Sequence, residues 1–307
     1  MIMKRLHTIR NGIIHTSKTL EECILSKKSL FQCPVCSNAL VQGERQYFCR
    51  KGHSYDIARK GYVNLLLPSH IGAGDPGDHK EMIECRRDFL NKGYYEIFSD
   101  HLNEALISQV SDMDKAKEIC ILDAGCGEGY YTSRLRNKLL TIDGIDAINM
   151  YGIDVSKAAI HYASGRDKNI RFAVASTYHT PILSESMDTI LCVFAPRDEQ
   201  EFSRILKPSG KLIIAAPGAR HLLGLKKALY EESSFIGQKG TVGEGFELLK
   251  QFNVSYDIHL KGSEDIFNLL MMTPYSRHTD QDAVEDLKKL DKLDTEVDFN
   301  IMIYQKI

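Results

Sequence analysis

No apolar run in this chain approaches the ~20 residues that a bilayer-spanning helix needs, which excludes an integral helical membrane protein. The first thirty residues also lack a continuous apolar stretch. Their basic residues are interrupted by Glu21 and Glu22, which is not the pattern of a secretory signal, so the expected compartment is the cytoplasm. Net charge is nearly missing too, at -2 over 307 residues, but that balance hides a gradient. Residues 1–92 hold 15 Lys and Arg against 9 Asp and Glu, and the remainder holds 24 against 32. A basic front end suits a polyanionic partner; a solvated basic face with no partner is the plain alternative. Apolar residues make up 43% of the chain, ordinary for a folded protein with a sizeable core, and the length suggests about two domains.

The eight cysteines have little of the grammar of a disulfide scaffold. Four positions do have a grammar of their own. Cys33 and Cys36 form Cys-Pro-Val-Cys, and Cys49 and His53 follow after a stretch long enough for a hairpin. Two short-spaced ligand pairs on two knuckles are what a tetrahedral metal needs, so one structural Zn2+ is expected on Cys33, Cys36, Cys49 and His53. All four positions would be filled by protein, leaving no place for a reactive water. A disulfide reading fails on compartment and on the histidine. Cys23, Cys85, Cys120 and Cys192 read as core or surface thiols.

The stretch Ile119-Cys120-Ile121-Leu122-Asp123-Ala124-Gly125-Cys126-Gly127-Glu128-Gly129-Tyr130 reads as a buried strand, a tight glycine turn and a helix start. Gly125, Gly127 and Gly129 allow positive φ and close approach of a ligand, while Cys126 between them needs only to be small. The glycines fall at every second residue after an aspartate, unlike the G-x-G-x-x-G of dinucleotide sites. A second strand ends at Asp154, followed by Val155, where a carboxylate can accept hydrogen bonds from ribose hydroxyls. Further strands are expected over 170–175, 188–194 and 210–215, and helices over 130–139, 157–165, 198–206 and 221–232. Asn253–Leu260 and Asp298–Gln305 alternate polar and apolar residues, as an antiparallel edge pair would. The expectation is an α/β, Rossmann-like fold with seven mostly parallel strands and helices on both faces. Its carboxyl rim would carry Asp123, Asp154, Ser176, Phe194 and Ala195. Residues 1–28 form an extension without a motif, 29–68 the zinc module, 69–115 a loop and helical bridge, and 116–307 the main domain.

The Asp-x-Gly-x-Gly-x-Gly pattern resembles the first motif of class I S-adenosylmethionine-dependent methyltransferases. Lys60-Gly61-Tyr62-Val63-Asn64, Asp75-Pro76-Gly77-Asp78, Ala195-Pro196, Ala216-Pro217-Gly218, Met272-Thr273-Pro274 and Asp298-Phe299-Asn300, together with the cysteine and histidine spacing, are similar to the RlmA family from about residue 31 onward. That resemblance implies transfer of a methyl group to N1 of one of two neighbouring guanines in a bacterial 23S rRNA hairpin. It also implies a zinc module that helps grip the RNA, a homodimer, and in one branch an association with macrolide resistance. Arg197-Asp198 after Pro196 departs from the pattern. Guanine N1 carries a proton that must leave, and Asp78 and Asp198 are the candidate acceptors, each with a capping or solvent-facing role as the alternative. Two other functions fit the same residues: a small-molecule methyltransferase with a stabilising zinc module, and a non-catalytic zinc-bearing RNA-binding protein.

Overall fold

The computed structural model describes residues 28–70, 77–110, 118–143, 145, 147–230 and 242–307. The expected extension over 1–28, apart from its last residue, lies outside these, as do most of the loop before Asp78 and the end of the helix expected over 221–232. Four short strands, β1 (Lys28–Gln32), β2 (Ala39–Gln42), β3 (Gln46–Phe48) and β4 (Ser54–Asp56), make a small antiparallel sheet in that order. Side chains alternate across it: Leu40 and Tyr47 are buried while Ala39, Gln46 and Phe48 face out.

The chain then passes through β5 (Val63–Asn64) into helices α1 (Lys80–Asn91) and α2 (Glu96–Val110). From β6 (Ile119–Ala124) strands and helices alternate through α3 (Tyr130–Leu139), β7 (Ile148–Asp154), α4 (Lys157–Arg166) and β8 (Arg171–Val174). They continue through β9 (Met187–Val193), α5 (Glu199–Ile205), β10 (Leu206–Pro217) and α6 (Leu223–Leu229). The last elements are β11 (Phe246–Lys261), α7 (Ser263–Met271), α8 (Gln281–Leu287) and β12 (Lys292–Lys306).

The large sheet runs β11-β12-β10-β9-β6-β7-β8-β5. All pairs from β10 to β5 are parallel, whereas β12 pairs antiparallel with both β10 and β11. The expected edge pair is therefore present, with Asn253 opposite Asn300. Strand β6 is buried at every position, as a central parallel strand covered on both faces must be. Among the described residues the sheet has eight strands where seven are expected from the sequence. The addition is β5, whose Val63 and Asn64 lie beside Ala173 and Val174. Two residues are too few to show a period of two; packing places them, since Val63 and Leu65 are buried and Leu65 N donates to Val174 O at 2.9 Å.

The small sheet is docked on the large one. Phe31 is fully buried, edge-on to Tyr151 of β7 at 5.1 Å and to Tyr47 at 5.7 Å. Leu30 N donates to the Tyr151 hydroxyl at 3.1 Å, and Gln32 N and Leu183 N close backbone bonds across the same seam. Helices α7 and α8 are additions to the expected elements; α7 buries Ile266, Leu269 and Leu270. After β6 the chain moves outward to β7 and β8, then returns to β9 on the other side of β6. Ligands of open α/β sheets bind in the crevice beyond the carboxyl ends of strands at such a reversal. No helix among the described residues is long and apolar enough to cross a membrane.

Candidate metal centre and cofactor cradle

The two knuckles are closed by their own backbone. Ser37 N donates to Cys33 O at 2.8 Å in the first, and Gly52 N to Cys49 O at 3.0 Å in the second, with Gly52 at φ 87 where a side chain would be strained. Cys33, Cys36, Cys49 and His53 bring their ligand atoms within 4.8 Å of one another. The Sγ atoms of Cys36 and Cys49 are 3.7 Å apart, and His53 Nδ1 lies 3.5 Å from Cys33 Sγ and 3.4 Å from Cys49 Sγ. A tetrahedron with Zn–S bonds of about 2.3 Å has edges of about 3.8 Å between sulfurs and slightly less to nitrogen. The donor set and its spacing fit zinc. Asn38 Nδ2 donates to Cys36 Sγ at 3.2 Å and holds that thiol down to about 6, toward the thiolate a metal takes.

At the rim of the large sheet, Gly125, Gly127 and Gly129 all have positive φ, at 81, 55 and 82. Their surroundings differ. A Cβ on Gly125 would lie 2.2 Å from Ala195 Cβ, and one on Gly129 would lie 2.9 Å from Ala163 Cβ, so both permit close packing. Among the described residues, a Cβ on Gly127 would meet only Arg86 Nη1 at 3.8 Å, which leaves room above that residue for a ligand. Cys126 turns inward and is buried; its backbone N donates to Ile153 O at 2.9 Å, and burial pushes its thiol far above the usual range. Tyr130 opens α3, with the guanidinium groups of Arg134 and Arg166 within 5.6 Å of its ring centre.

Asp154 Oδ2 accepts from Gly127 N at 2.9 Å and Oδ1 from Ser156 N at 2.8 Å, past Val155. Each oxygen keeps a second lone pair for a further donor. Burial raises this carboxyl, opposed by the amides of Ser156 and Gly127 and by Arg86. Asp123 is only 2% exposed; Oδ2 accepts from Thr132 Oγ1 at 2.6 Å, and Oδ1 is buried with no hydrogen-bond partner among the described residues. Burial pushes Asp123 up to about 7 despite the Thr132 bond, and nearby Asp154 acts in the same direction. An orphaned buried acceptor, an open glycine and a half-satisfied carboxylate are together the fit expected of a polar cofactor with amine and hydroxyl donors.

The rim positions expected from sequence converge here to different degrees. Ser176, just past β8, has its hydroxyl turned onto Tyr178 N at 3.1 Å. Phe194, just past β9, sits at φ 53 and is 42% exposed, with Ala195 packed on the glycine loop behind it. Its ring stacks on Phe98 at 5.5 Å and leans on Phe299 at 4.6 Å. Asp78 is drawn to the rim: Ser156 Oγ donates to its carbonyl at 2.9 Å, and Gly77 lies against Val155 and Ser156. Its carboxylate accepts from Arg86 at 2.6 Å and from Arg277 at 3.0 Å. Asp198 is the N-cap of α5 and accepts from Gln200 N at 3.0 Å and Glu201 N at 3.1 Å. Sequence pattern gives no sign of Arg86, Phe98 or the place of Phe299. Arg86 is one polar residue in an amphipathic helix, and the two phenylalanines stand about 200 residues apart.

Residues 31–70 match the family described as RlmA, N-terminal, and residues 115–260 match the family described as Methyltransferase domain. A protein of Bacillus subtilis (strain 168), carried under the provisional name 23S rRNA (guanine-N(1)-)-methyltransferase YxjB, is 31% identical over 296 residues, covering 91% of this chain and 98% of that protein. The chain belongs to the RlmA family. A Micromonospora griseorubida protein provisionally described as a 23S rRNA (guanine-N(1)-)-methyltransferase is 32% identical over 81% of this chain and 87% of its own length. The 23S rRNA (guanine(748)-N(1))-methyltransferase of Streptomyces fradiae is 29% identical over 82% of this chain and 88% of its own. Membership identifies the chain as an S-adenosylmethionine-dependent methyltransferase and its four-ligand cluster as a zinc site.

In this RlmA-family chain the buried acid makes a pH signature. The Asp123 pKa is about 7 when folded and about 3.9 when unfolded, so between those values the folded state binds more protons. The cost of ionising it is absent below about pH 4 and complete once pH rises past 7. Asp123→Asn should therefore stabilise the cofactor-free protein relative to wild type increasingly from pH 4 to pH 8, by on the order of 4 kcal/mol. Urea unfolding of both proteins across that range measures it; a difference that does not change with pH would assign Asp123 an ordinary pKa.

Proposed function

We propose that this protein transfers a methyl group from S-adenosylmethionine to N1 of one guanine in a 23S rRNA hairpin, acting as a homodimer in the cytoplasm. The observation that carries this reading is the exposed Phe194 ring at the rim, backed by Phe98 and Phe299 and adjoining the glycine loop through Ala195. Guanine N1 is on the pairing edge, so the base must leave its stack, and an exposed aromatic beside the cofactor is a surface for it. A left-handed φ at a bulky residue is a strain that the surrounding structure must hold in place, as functional sites commonly do.

For the cofactor, Asp154 would take ribose hydroxyls, the open space above Gly127 would admit the ligand, and Asp123 Oδ1 would supply an unused acceptor. Gly125, Cys126 and Gly129 would keep the loop closed beneath it, with Tyr130, Val155 and Ser176 forming its walls. When bound, S-adenosylmethionine supplies an electrophilic methyl on a sulfonium, so the protein's own task is alignment and exclusion of water. The proton on N1 must go to a group at the rim. Of the two candidate acids, Asp78 is the better placed, because its loop is tied to Ser156. Arg86 and Arg277 hold its carboxylate at the rim, where it can take the proton directly or through water. Asp198 is committed to capping α5.

The direct test is methyl transfer from labelled S-adenosylmethionine to deproteinised rRNA against a metabolite pool, with the modified base mapped by primer extension, which stalls at guanine methylated on its pairing edge. Label in the metabolites alone would establish a small-molecule enzyme, and label in neither a binding protein. A second expected result concerns the front module, where Arg45, Arg50, Lys51 and Arg59 all have exposed side chains. Neutralising them should weaken hairpin binding and flatten its log-log salt dependence by about 0.7 to 0.9 for each phosphate no longer neutralised, leaving the methylated base unchanged. Filter binding over a salt series measures the slope; an unchanged slope would remove the zinc module as an RNA grip.

A further inference from the structure

A groove of about 480 Å³ lies between the end of the front module and helices α1, α3 and α4. Lys60, Arg87 and Arg166 supply its charge, and Ser133, Asn137 and His161 supply neutral or titratable polar groups. No carboxylate is among its lining residues in the described part of the chain. Of the acids beside it, Asp167 accepts from Arg136 at 3.0 Å, Asp88 next to Arg87 is exposed, and Glu84 accepts from the Tyr162 hydroxyl at the groove's edge and pairs with Lys80 at 3.4 Å. Glu128, from the glycine loop, is buried behind Arg166 and accepts from its Nε at 2.5 Å.

The walls are built rather than incidental. Lys168 Nζ donates to Lys60 O at 2.9 Å and to Ser164 O at 2.6 Å, which pins the front module's exit turn to α4. His161 meets the ring of Tyr62 edge-on at 6.4 Å across the same junction. Arg166 is fixed from behind by Glu128 and by Asn91 Oδ1 at 3.0 Å, and Arg87 lies over the Tyr162 ring at 5.2 Å. Glu128 offsets the charge of Arg166, so the groove's excess of positive charge comes from Lys60 and Arg87, whose side chains are exposed. Amide, hydroxyl and imidazole groups in one groove with two exposed cations suit a chain of phosphates, where each cation takes one phosphate and the neutral donors take the oxygens beside it.

We infer that this groove binds the phosphodiester backbone of the substrate RNA, as a second surface for RNA that joins the zinc module to the methyltransferase fold. The inference rests on the rRNA reading of the active site. Phosphates held here would fix the register of the strand relative to Phe194 without reading its sequence.

The test uses the full chain, an rRNA hairpin and a salt series. Lys60→Gln with Arg87→Gln should lower hairpin affinity roughly 25-fold at about 0.1 M salt and reduce the log-log slope by about 1.4, the value for two single-strand phosphates left unpaired. Lys60→Arg with Arg87→Lys should restore both, which a merely structural role would not predict. Calorimetry with S-adenosylmethionine should give the wild-type affinity for both double variants. Inorganic phosphate or a mononucleotide at millimolar concentration should compete weakly; competition as strong as that of the hairpin would assign the groove to a small anion and overturn the inference. Wild-type hairpin binding with an unchanged slope in the Gln variant would also overturn it while leaving the proposed function standing. No hairpin binding by the wild type would overturn both.

Discussion

Cys33→Ser or His53→Ala should release the zinc and unfold the front module, the largest stability effect expected anywhere in this chain. Metal binding in a module this small contributes on the order of 10 kcal/mol of folding free energy, comparable to the whole stability of an ordinary domain. The four short strands around it bury few large side chains: Phe31, Leu40 and Tyr47 are its principal apolar anchors. A core of that size does not hold strands of three to five residues in place. The loss should spread in a defined direction. Phe31 packs on Tyr151, and Tyr151 belongs to the strand that ends in Asp154, so the variant should also weaken cofactor binding without any change in the cradle itself. Strand β5 lies in the large sheet and should persist, as should the Leu65–Val174 bond. Native mass spectrometry counts the metal, and hydrogen exchange maps the unfolding to residues 29–56. A metal-free variant with wild-type protection there would show that the four ligands do not hold the module.

The parts of this molecule that sequence made legible are those where backbone chemistry demands a residue type. Left-handed φ at three alternate positions calls for Gly125, Gly127 and Gly129, and a tetrahedral ion calls for paired ligands on tight turns. The strands of the parallel sheet showed themselves as apolar runs ending at Asp123 and Asp154, because a strand covered on both faces leaves no room for polar residues. What stayed hidden depends on distant packing. Strand β5 is two residues long and is placed by pairing with β8 and by the burial of Val63 and Leu65 beside it. Phe299 reaches Phe194 through the pairing of β12 with β10, and Phe98 reaches it from α2; no local period records either meeting. Arg86 acquires meaning only when α1 is laid across the rim beside Gly127 and Asp78. Asp198 shows the converse: its position after Pro196 suggests chemistry, while its short side chain and the free amides of α5 make it a helix cap.

Substitutions in the glycine cradle should remove cofactor binding for two separable reasons. At Gly125 the reason is steric, since even Ala places a Cβ 2.2 Å from Ala195 Cβ and the loop must part from the segment that carries Phe194. Gly125→Ala should therefore lose affinity for cofactor and RNA together. At Gly127 the reason is conformation and open space. Val at φ 55 is strained, and its branches would enter the space left open below Arg86, so Gly127→Val should abolish cofactor binding with the RNA surface intact. Asp154→Ala is the graded case: losing a charge-assisted acceptor costs about 1.5 to 3 kcal/mol, roughly 10- to 150-fold in affinity. Because Asp154 also holds Gly127 N and Ser156 N, the larger figure is expected, and Asp154→Asn, which keeps one acceptor oxygen, should fall between Ala and wild type. Calorimetry with S-adenosylmethionine and filter binding with the hairpin, on variants whose melting shows a folded sheet, separate these effects. Wild-type cofactor affinity in both Gly127→Val and Asp154→Ala would place the cofactor elsewhere. Loss of cofactor with full RNA affinity in Gly125→Ala would break the proposed link between the glycine loop and the aromatic rim.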